Sequence, residues 1–234
     1  MPAVVLEGDG RAKTMAERIA RPDLEDVFAL PYPTGPIVAV SDPEHDPGRV
    51  RIEAVFDATY GAGASAIARA LVPVRFGGRT VSFHRKAAPA LERVAKRLEP
   101  LVGQPATARF FAKLGGTFAY REIAGTNLRS THSWGIAIDL DPAACEYWRN
   151  GPQPPVWKNR VPQAIVDAFE AEGFVWGGRW YHYDTMHFEY RPELFSCSRG
   201  LCPLELSRRG LSAREARCAA PGPREVGPRD GGSL

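Results

Sequence analysis

The sequence predicts an α+β fold. Two segments, at 87–99 and 161–172, repeat apolar residues at three- and four-residue steps, which is typical of helices with one buried face. Several shorter apolar runs around them have the length of strands. Because helical and strand-like segments do not alternate regularly, we expect an α+β arrangement and not a wound parallel sheet.

In the first half of the chain the predicted elements are short. Residues 14–30 are helical with an interruption at Pro22. Apolar and charged residues alternate along 50–58, which predicts a strand, and 37–41 could form another. Residues 64–72 are mostly apolar and predict a short helix.

The second half carries better-marked elements. Pro100 marks the end of the helix at 87–99, and Gly173 lies just beyond the helix at 161–172. Residues 142–155 form a proline-rich irregular insertion. The predicted strands of this half are 108–114, 118–123, 136–140, 174–176 and 187–190.

The composition predicts one domain with appendages. The chain has 234 residues, of which 44% are hydrophobic, enough for a sizeable core. We expect an N-terminal helical and strand segment (1–85) packed on a core (86–202). Residues 203–234 are rich in Pro, Gly, Arg and Ser, and predict a basic, disordered tail.

Charge and hydropathy exclude some classes of protein. The net charge of +3 is too small to favour nucleic-acid binding, and the excess follows residue 190. No apolar run approaches the roughly 18 to 20 residues that a membrane-spanning helix needs. The N-terminus shows no secretory signal. We expect a monomer without a transmembrane segment.

The four cysteines leave the redox compartment open. None forms a Cys-x-x-Cys pair, so a thiolate zinc site is not expected. Cys197 and Cys202 are close enough in sequence to form a disulfide in an oxidising compartment, and free thiols are equally consistent with the pattern.

Candidate metal ligands lie in the segment 130–139. His132 and Asp139 are seven residues apart, and on one straight strand this odd spacing would put their side chains on opposite faces. Gly135 lies between them and can supply a bend that brings them together. An imidazole nitrogen and a carboxylate oxygen both suit zinc.

A second segment supplies a third ligand and an acid–base group. His187 would complete a trio of N and O donors, a set that leaves one zinc position open for a water molecule. Asp184, three residues earlier, is expected to act as the general base and to pass the proton to the leaving amine. A histidine near an acid is more often a hydrogen-bonded pair, but two such segments framed by aromatic residues favour a site.

Other polar residues are weaker candidates. Arg121 precedes the turn that leads to His132, where a guanidinium could hold the scissile carbonyl oxygen or a substrate carboxylate. A surface arginine is equally consistent with its position. His182 could line a substrate cleft or simply pack, whereas His45 is expected to be solvated and His84 structural.

These residues resemble a family of zinc peptidases, the D-alanyl-D-alanine carboxypeptidases and L-alanyl-D-glutamate endopeptidases. The family motif Ser-x-His-x-x-Gly-x-Ala-x-Asp is complete here, at Ser130, His132, Gly135, Ala137 and Asp139. The second motif, an acid followed three residues later by His, stands as Asp184 and His187. The lead-in Gly177-Gly178-x-Trp180 resembles the endopeptidase-like branch, and Arg121 matches the upstream arginine of the family.

The resemblance is specific from about 110 to 194 and carries several implications. It implies one Zn²⁺ ion held by His132, Asp139 and His187, with Asp184 as base and Arg121 supporting the transition state. It also implies a small antiparallel sheet flanked by helices, as in hedgehog-like and D-Ala-D-Ala-peptidase-like folds.

The resemblance also implies a substrate class. Ser130, Trp180 and His182 are expected to bind a peptidoglycan stem peptide that contains D-residues. Such a substrate implies a periplasmic or extracellular protein, while the lack of a visible signal peptide keeps cytoplasmic or phage-type release open.

Two other functions are consistent with the same residues. One is a zinc-stabilised binding module without activity, since the hedgehog signalling domain resembles this family; a complete set of ligands, base and arginine argues against it. The other is a cell-wall amidase. The choice between carboxypeptidase and endopeptidase depends on the shapes of the loops at 142–155 and 176–183.

Overall fold

The computed structural model of the protein describes residues 8–123 and 126–198, without the side chains of 196–198. Within these stretches the chain has an α+β fold with two small antiparallel sheets and several helices, which confirms the predicted fold class. No helix in the described part is long and apolar enough to cross a membrane. The predicted tail at 203–234 and Cys202 lie outside the described residues.

The regular elements are short except for one helix. The helices are α1 (Met15–Ala20), α2 (Leu24–Phe28), α3 (Glu53–Tyr60), α4 (Ala64–Ala68), α5 (Ala88–Val102), α6 (Gln163–Glu170) and α7 (Pro192–Ser198). The strands are β1 (Leu71–Phe76), β2 (Arg79–His84), β3 (Ala137–Asp139), β4 (Phe174–Trp176) and β5 (His187–Tyr190).

The two sheets have simple topologies. Strands β1 and β2 form a hairpin. The second sheet has the order β3-β5-β4, with every neighbouring pair antiparallel and β5 in the centre. In this sheet Asp139 of β3 lies opposite His187 of β5, and Ala137 lies opposite Glu189. This register places the residues of both sequence motifs side by side.

One continuous apolar core includes residues from both the predicted N-terminal segment (1–85) and the predicted core (86–202). Helix α5 buries the stripe expected from its sequence, with Leu91 and Val94 fully buried. They share a cluster with Phe83 of β2, Phe169 of α6 and Phe188 of β5. The stacked rings of Phe169 and Phe188, with centroids 3.8 Å apart, fix the side of β5 that faces away from the metal-ligand candidates.

A second, smaller cluster attaches the N-terminal segment to the sheet. Met15, Val27 and Tyr32 pack there against residues that include Val175 of β4 and Leu194 of α7. The hydroxyl of Tyr32 donates to Glu170 and accepts from the backbone N–H of Trp176, at 2.7 and 2.8 Å. These buried hydrogen bonds hold the segment in one position relative to β4.

The prediction of a strand at 50–58 is wrong, because the chain forms helix α3 (Glu53–Tyr60) there. The alternating pattern also fits a helix: Phe56 and Tyr60 lie one turn apart on the inner side, with ring centroids 6.2 Å apart. On another side Glu53 and Asp57, again one turn apart, both bind Arg129 at 2.8 Å. A run this short cannot distinguish the two periods.

Five further predictions of local structure are wrong. Residues 108–111 form a 3₁₀ turn instead of a strand, and 37–41 and 118–123 pair in no named strand. Only the first part of 64–72 is helical, since β1 begins at Leu71. Helix α5 continues through Pro100 to Val102, where Gln104 donates to the carbonyls of Pro100 and Leu101.

Candidate metal centre and cleft

His132 is positioned by a tight turn before β3. It lies in the 3₁₀ turn Thr131–Trp134, and Gly135 ends this turn in the left-handed conformation, with φ of 65°. A Cβ at Gly135 would lie only 2.6 Å from Leu71 Cδ2, so a side chain here would also require Leu71 to shift. The turn redirects the chain so that His132 and Asp139 converge, as the odd spacing required.

Asp139 is the meeting point of the two histidines. Its Oδ1 atom lies 3.1 Å from Nε2 of His132 and 2.9 Å from Nδ1 of His187. The ligand atoms of the three residues all lie within 4.8 Å of one another, so the group could hold a metal ion. The two imidazoles outweigh the effect of burial and hold the pKa of Asp139 well below its usual range.

The surroundings of the two histidines fit a metal as well. Nδ1 of His132 lies 3.3 Å from the carbonyl oxygen of Thr117. Nε2 of His187 lies 3.1 Å from Glu189 Oε2. Each imidazole can therefore donate from its outer nitrogen and turn the lone pair of the other nitrogen toward Asp139. Metal-binding histidines usually have such partners, and two imidazoles with one carboxylate suit zinc.

Asp184 lies beside this group without joining it. Its backbone is held by the carbonyl of Gly177 on one side and the N–H of His187 on the other. A Cβ at Gly177 would lie 2.4 Å from the Asp184 carbonyl oxygen, so this close approach requires glycine. Among the described residues, the buried Oδ1 of Asp184 has no hydrogen-bond partner. Burial and the nearby charge of Asp139 raise the pKa of Asp184 to about 6.

A cleft of about 430 Å³ opens over these residues. Its lining includes the predicted site residues, namely Arg121, Ser130, His132, Asp139, Trp180, His182, Asp184 and His187. The structure thus brings all eight to one place, although they are spread over two distant segments of the chain.

The four predicted residues other than the ligand group and Asp184 differ in how firmly they are held. Ser130 is buried and its N–H donates to the Arg121 carbonyl. The indole of Trp180 donates to the Pro47 carbonyl, and its ring lies 5.8 Å from that of His187. Nδ1 of His182 lies 2.7 Å from Asp46. Arg121 is exposed and donates to the carbonyl of Glu122 at 3.3 Å.

The segment 45–51 also forms part of the cleft, which the sequence did not indicate. Arg49 and Arg51 line it, and Arg49 lies over the Trp180 ring. The segment runs beside residues 180–182, where Tyr181 N–H donates to the His45 carbonyl. Asp46 is buried, and its carboxylate accepts from the backbone N–H of His182 at 3.0 Å.

Three more cleft residues were not predicted. Tyr147, Trp148 and Asn150 line the cleft from the insertion after β3. The ring of Trp148 lies edge-on to His182, with centroids 4.7 Å apart. The sequence does not indicate the role of an aromatic residue in a proline-rich loop, because it does not show where the loop lies in the fold.

A family comparison covers the segment that carries this site. Residues 124–190 match the sequence model of a family described as D-alanyl-D-alanine carboxypeptidase. The matched segment contains the three metal-ligand candidates and Asp184, which confirms the resemblance noted in the sequence. Arg121 and the segment 45–51 lie before the match.

Proposed function

From the match of residues 124–190 to the D-alanyl-D-alanine carboxypeptidase family, we propose that this protein is a zinc-dependent peptidase that hydrolyses peptidoglycan stem peptides. The observation that carries the proposal is the buried group of His132, Asp139 and His187 with a separate carboxylate beside it. Three N and O ligands and a free acid–base group are what metal-assisted hydrolysis requires.

His132, Asp139 and His187 would hold one zinc ion. When bound, the ion supplies Lewis acidity, which lowers the pKa of a water molecule toward neutrality and polarises the scissile carbonyl. The two histidines offer Nε2 and Nδ1 respectively, because their outer nitrogens already have acceptors in Thr117 and Glu189. This support fixes both rings before a metal arrives.

Asp184 would move the proton. Its unpartnered Oδ1 accepts a proton from the attacking water, whose oxygen forms the new bond to the carbonyl carbon. The same carboxyl group then donates this proton to the amine nitrogen as the C–N bond breaks. Burial favours the protonated form of Asp184, so the group can serve in both steps.

Arg121 and the cleft residues would bind the substrate. Arg121 lines the cleft, and its exposed guanidinium would stabilise the carbonyl oxygen as negative charge develops. Ser130, Trp180 and His182 line the same cleft and are proposed to contact the stem peptide. A substrate of this class implies a periplasmic or extracellular site of action.

The test is digestion of purified peptidoglycan and of defined muropeptides, with product analysis by mass spectrometry. We expect new amino and carboxyl ends within the stem peptide, loss of cleavage after chelation, and recovery with zinc. Asp184→Asn should lower kcat by at least 10²-fold, since general acid–base catalysis contributes about 10²- to 10⁴-fold. Asp167→Asn, a change on the exposed side of α6, is the matched control and should cleave normally.

The products also separate the competing functions. Cleavage at the terminal residue indicates a carboxypeptidase, and cleavage inside the stem indicates an endopeptidase. Release of the whole stem from the glycan would instead identify an amidase. Zinc binding without any cleavage would contradict the proposal in favour of a binding module, and full activity of Asp184→Asn would contradict the role of that residue.

A further inference from the structure

Glu189 is a fully buried carboxylate next to the candidate metal centre. Its side chain has no exposed surface, yet several polar groups contact its carboxylate. Oε2 accepts from Thr131 Oγ1 at 2.8 Å and from Arg51 Nη1 at 3.0 Å, and lies 3.1 Å from His187 Nε2. Oε1 accepts from Arg191 Nη1 at 3.1 Å. Both carboxylate oxygens therefore have charged or polar partners.

The contact with His187 determines which nitrogen of that ring faces the centre. Nε2 points toward Glu189 and Thr131, whose oxygens lie 3.1 and 3.3 Å away. Because Thr131 donates its hydroxyl proton to Glu189, both oxygens near Nε2 are left as acceptors for a proton on that nitrogen. A proton on Nε2 leaves the Nδ1 lone pair directed at the group formed with Asp139 and His132.

The two arginines make such a carboxylate tolerable in the interior. A buried charge is costly unless it is paired and hydrogen-bonded. Arg51 and Arg191, with side chains 9% and 1% exposed, approach Glu189 from different parts of the chain. Arg191 is in turn paired with Glu193, so these four residues carry no net charge.

The sheet register leaves room for this arrangement. His187 and Glu189 alternate with Phe188 along β5, so both point to the face opposite the apolar core. Across from Glu189 on β3 stands Ala137, the alanine of the sequence motif. A small residue there avoids competing with the carboxylate for the space beside His187.

We propose that Glu189, held by Arg51 and Arg191, is a positioning residue that fixes His187 with Nδ1 toward the metal. The inference deepens the proposed function, because it concerns how the same site is built. It assigns a role to Arg51, which stands in the segment before the family match, so that this segment supports the metal centre as well as lining the cleft.

The test measures zinc affinity by competition with a chromogenic chelator, in wild type and in Glu189→Gln. The amide preserves the shape but replaces a charged acceptor by a neutral one. We expect zinc to bind 10- to 100-fold more weakly, the range seen when such supporting groups are removed. The absorption spectrum of the cobalt-substituted protein should also change, and activity should recover as free zinc is raised.

Glu170→Gln is the matched control. Glu170 is also a buried carboxylate, and it pairs with Arg179 at 2.7 Å and with Tyr32, away from the metal centre. We expect its zinc affinity and cobalt spectrum to equal those of wild type, even where stability falls. Equal loss of affinity in both variants would mean a general effect of buried charge, and would overturn the proposal.

A second variant covers the case in which Glu189→Gln does not fold. Thr131→Val keeps the shape and all charges but removes the hydroxyl that contacts Glu189 and His187. A several-fold loss of zinc affinity is expected, and unchanged affinity would overturn the proposal. These measurements need no substrate, so a protein that binds zinc as expected but cleaves nothing would contradict the proposed function alone.

Discussion

Gly135 is the residue on which the convergence of His132 and Asp139 depends. Its left-handed φ of 65° ends the turn that carries His132, and β3 with Asp139 follows directly. Most side chains are strained in this conformation, and here a Cβ would also approach Leu71. The glycine in the family motif therefore has a conformational reason.

We expect Gly135→Ala to lower the free energy of unfolding by at least about 1 kcal/mol, the cost of a left-handed residue with a side chain. It should also weaken zinc binding, because His132 is displaced. The measurements are denaturant unfolding and zinc titration. Gly103→Ala is the control, because φ is −93° there and a Cβ added to this residue would meet no atom within 4 Å. We expect it to change the free energy of unfolding by no more than about 0.5 kcal/mol. Equal effects of the two changes would contradict this role.

The sequence predicted the candidate metal ligands better than the residues that hold these ligands in position. His132, Asp139, Asp184 and His187 fall within two short motifs whose spacing is itself the signal. Arg51 stands 138 positions before Glu189, and no local pattern links the two. Contacts of this kind depend on how the whole chain folds, so they become visible only in the structure.

At the scale of elements, prediction succeeded where the apolar period was sustained. Helix α5 extends over Ala88–Val102, and enough turns repeat to identify its buried face. A strand was predicted in place of helix α3 because apolar and charged residues alternate along 50–58. The β1–β2 hairpin was missed although Gly77 and Gly78, both with positive φ, form its two-residue turn.

The junction between β2 and α5 contains a buried histidine, which predicts a dependence of stability on pH. Nε2 of His84 lies 3.0 Å from the Tyr60 carbonyl, and Nδ1 lies 3.2 Å from the Lys86 N–H, which donates to it. A second ring proton would face that N–H. Burial lowers the pKa of His84, and the charges of Arg85 and Lys86 act in the same direction.

The pKa of His84 is lower in the folded than in the unfolded state. Its contribution to the free energy of unfolding is therefore complete above a pH of about 6.5, which is the usual pKa of an unfolded histidine. It is lost as the pH falls through the folded-state value, since the unfolded chain then binds more protons. We expect the free energy of unfolding to fall less steeply from pH 7.5 to 5 in His84→Gln than in wild type. The free energy of unfolding at each pH is measured by chemical denaturation, and parallel plots of it against pH for the two proteins would contradict this prediction. The other histidines are present in both proteins, so they cancel.

At the scale of the whole molecule, the N-terminal segment and the matched segment meet at the cleft. Trp180 donates to Pro47, His182 to Asp46, and Arg51 to Glu189. The metal-ligand candidates themselves come from β3, β5 and the turn before β3. A metal ion would therefore join parts of the chain that are far apart in sequence.

We expect zinc to raise the stability of the protein, because the unfolded chain does not hold its three ligands together. At a free zinc concentration one hundred times Kd, the gain is about 2.7 kcal/mol. Thermal unfolding with zinc and with a chelator measures it as a difference in Tm. His187→Ala should lose most of this difference, and an undiminished shift in that variant would show that zinc stabilises the protein elsewhere.

The pairing of Asp139 with His187 across β3 and β5 has a consequence for protein engineering. The geometry of the pair depends on the phase of two adjacent strands and not on the length of the chain between them. Residues inserted in the loop between Asn150 and Gln163 would leave that phase intact, while one residue inserted inside β3 or β5 would turn a ligand to the opposite face. The smallest unit that could be transplanted to another scaffold is therefore a two-stranded ribbon with its entering turn, provided that the scaffold supplies partners for Glu189 in place of Arg51 and Arg191. Loops of any length could then be grafted onto it to change the substrate.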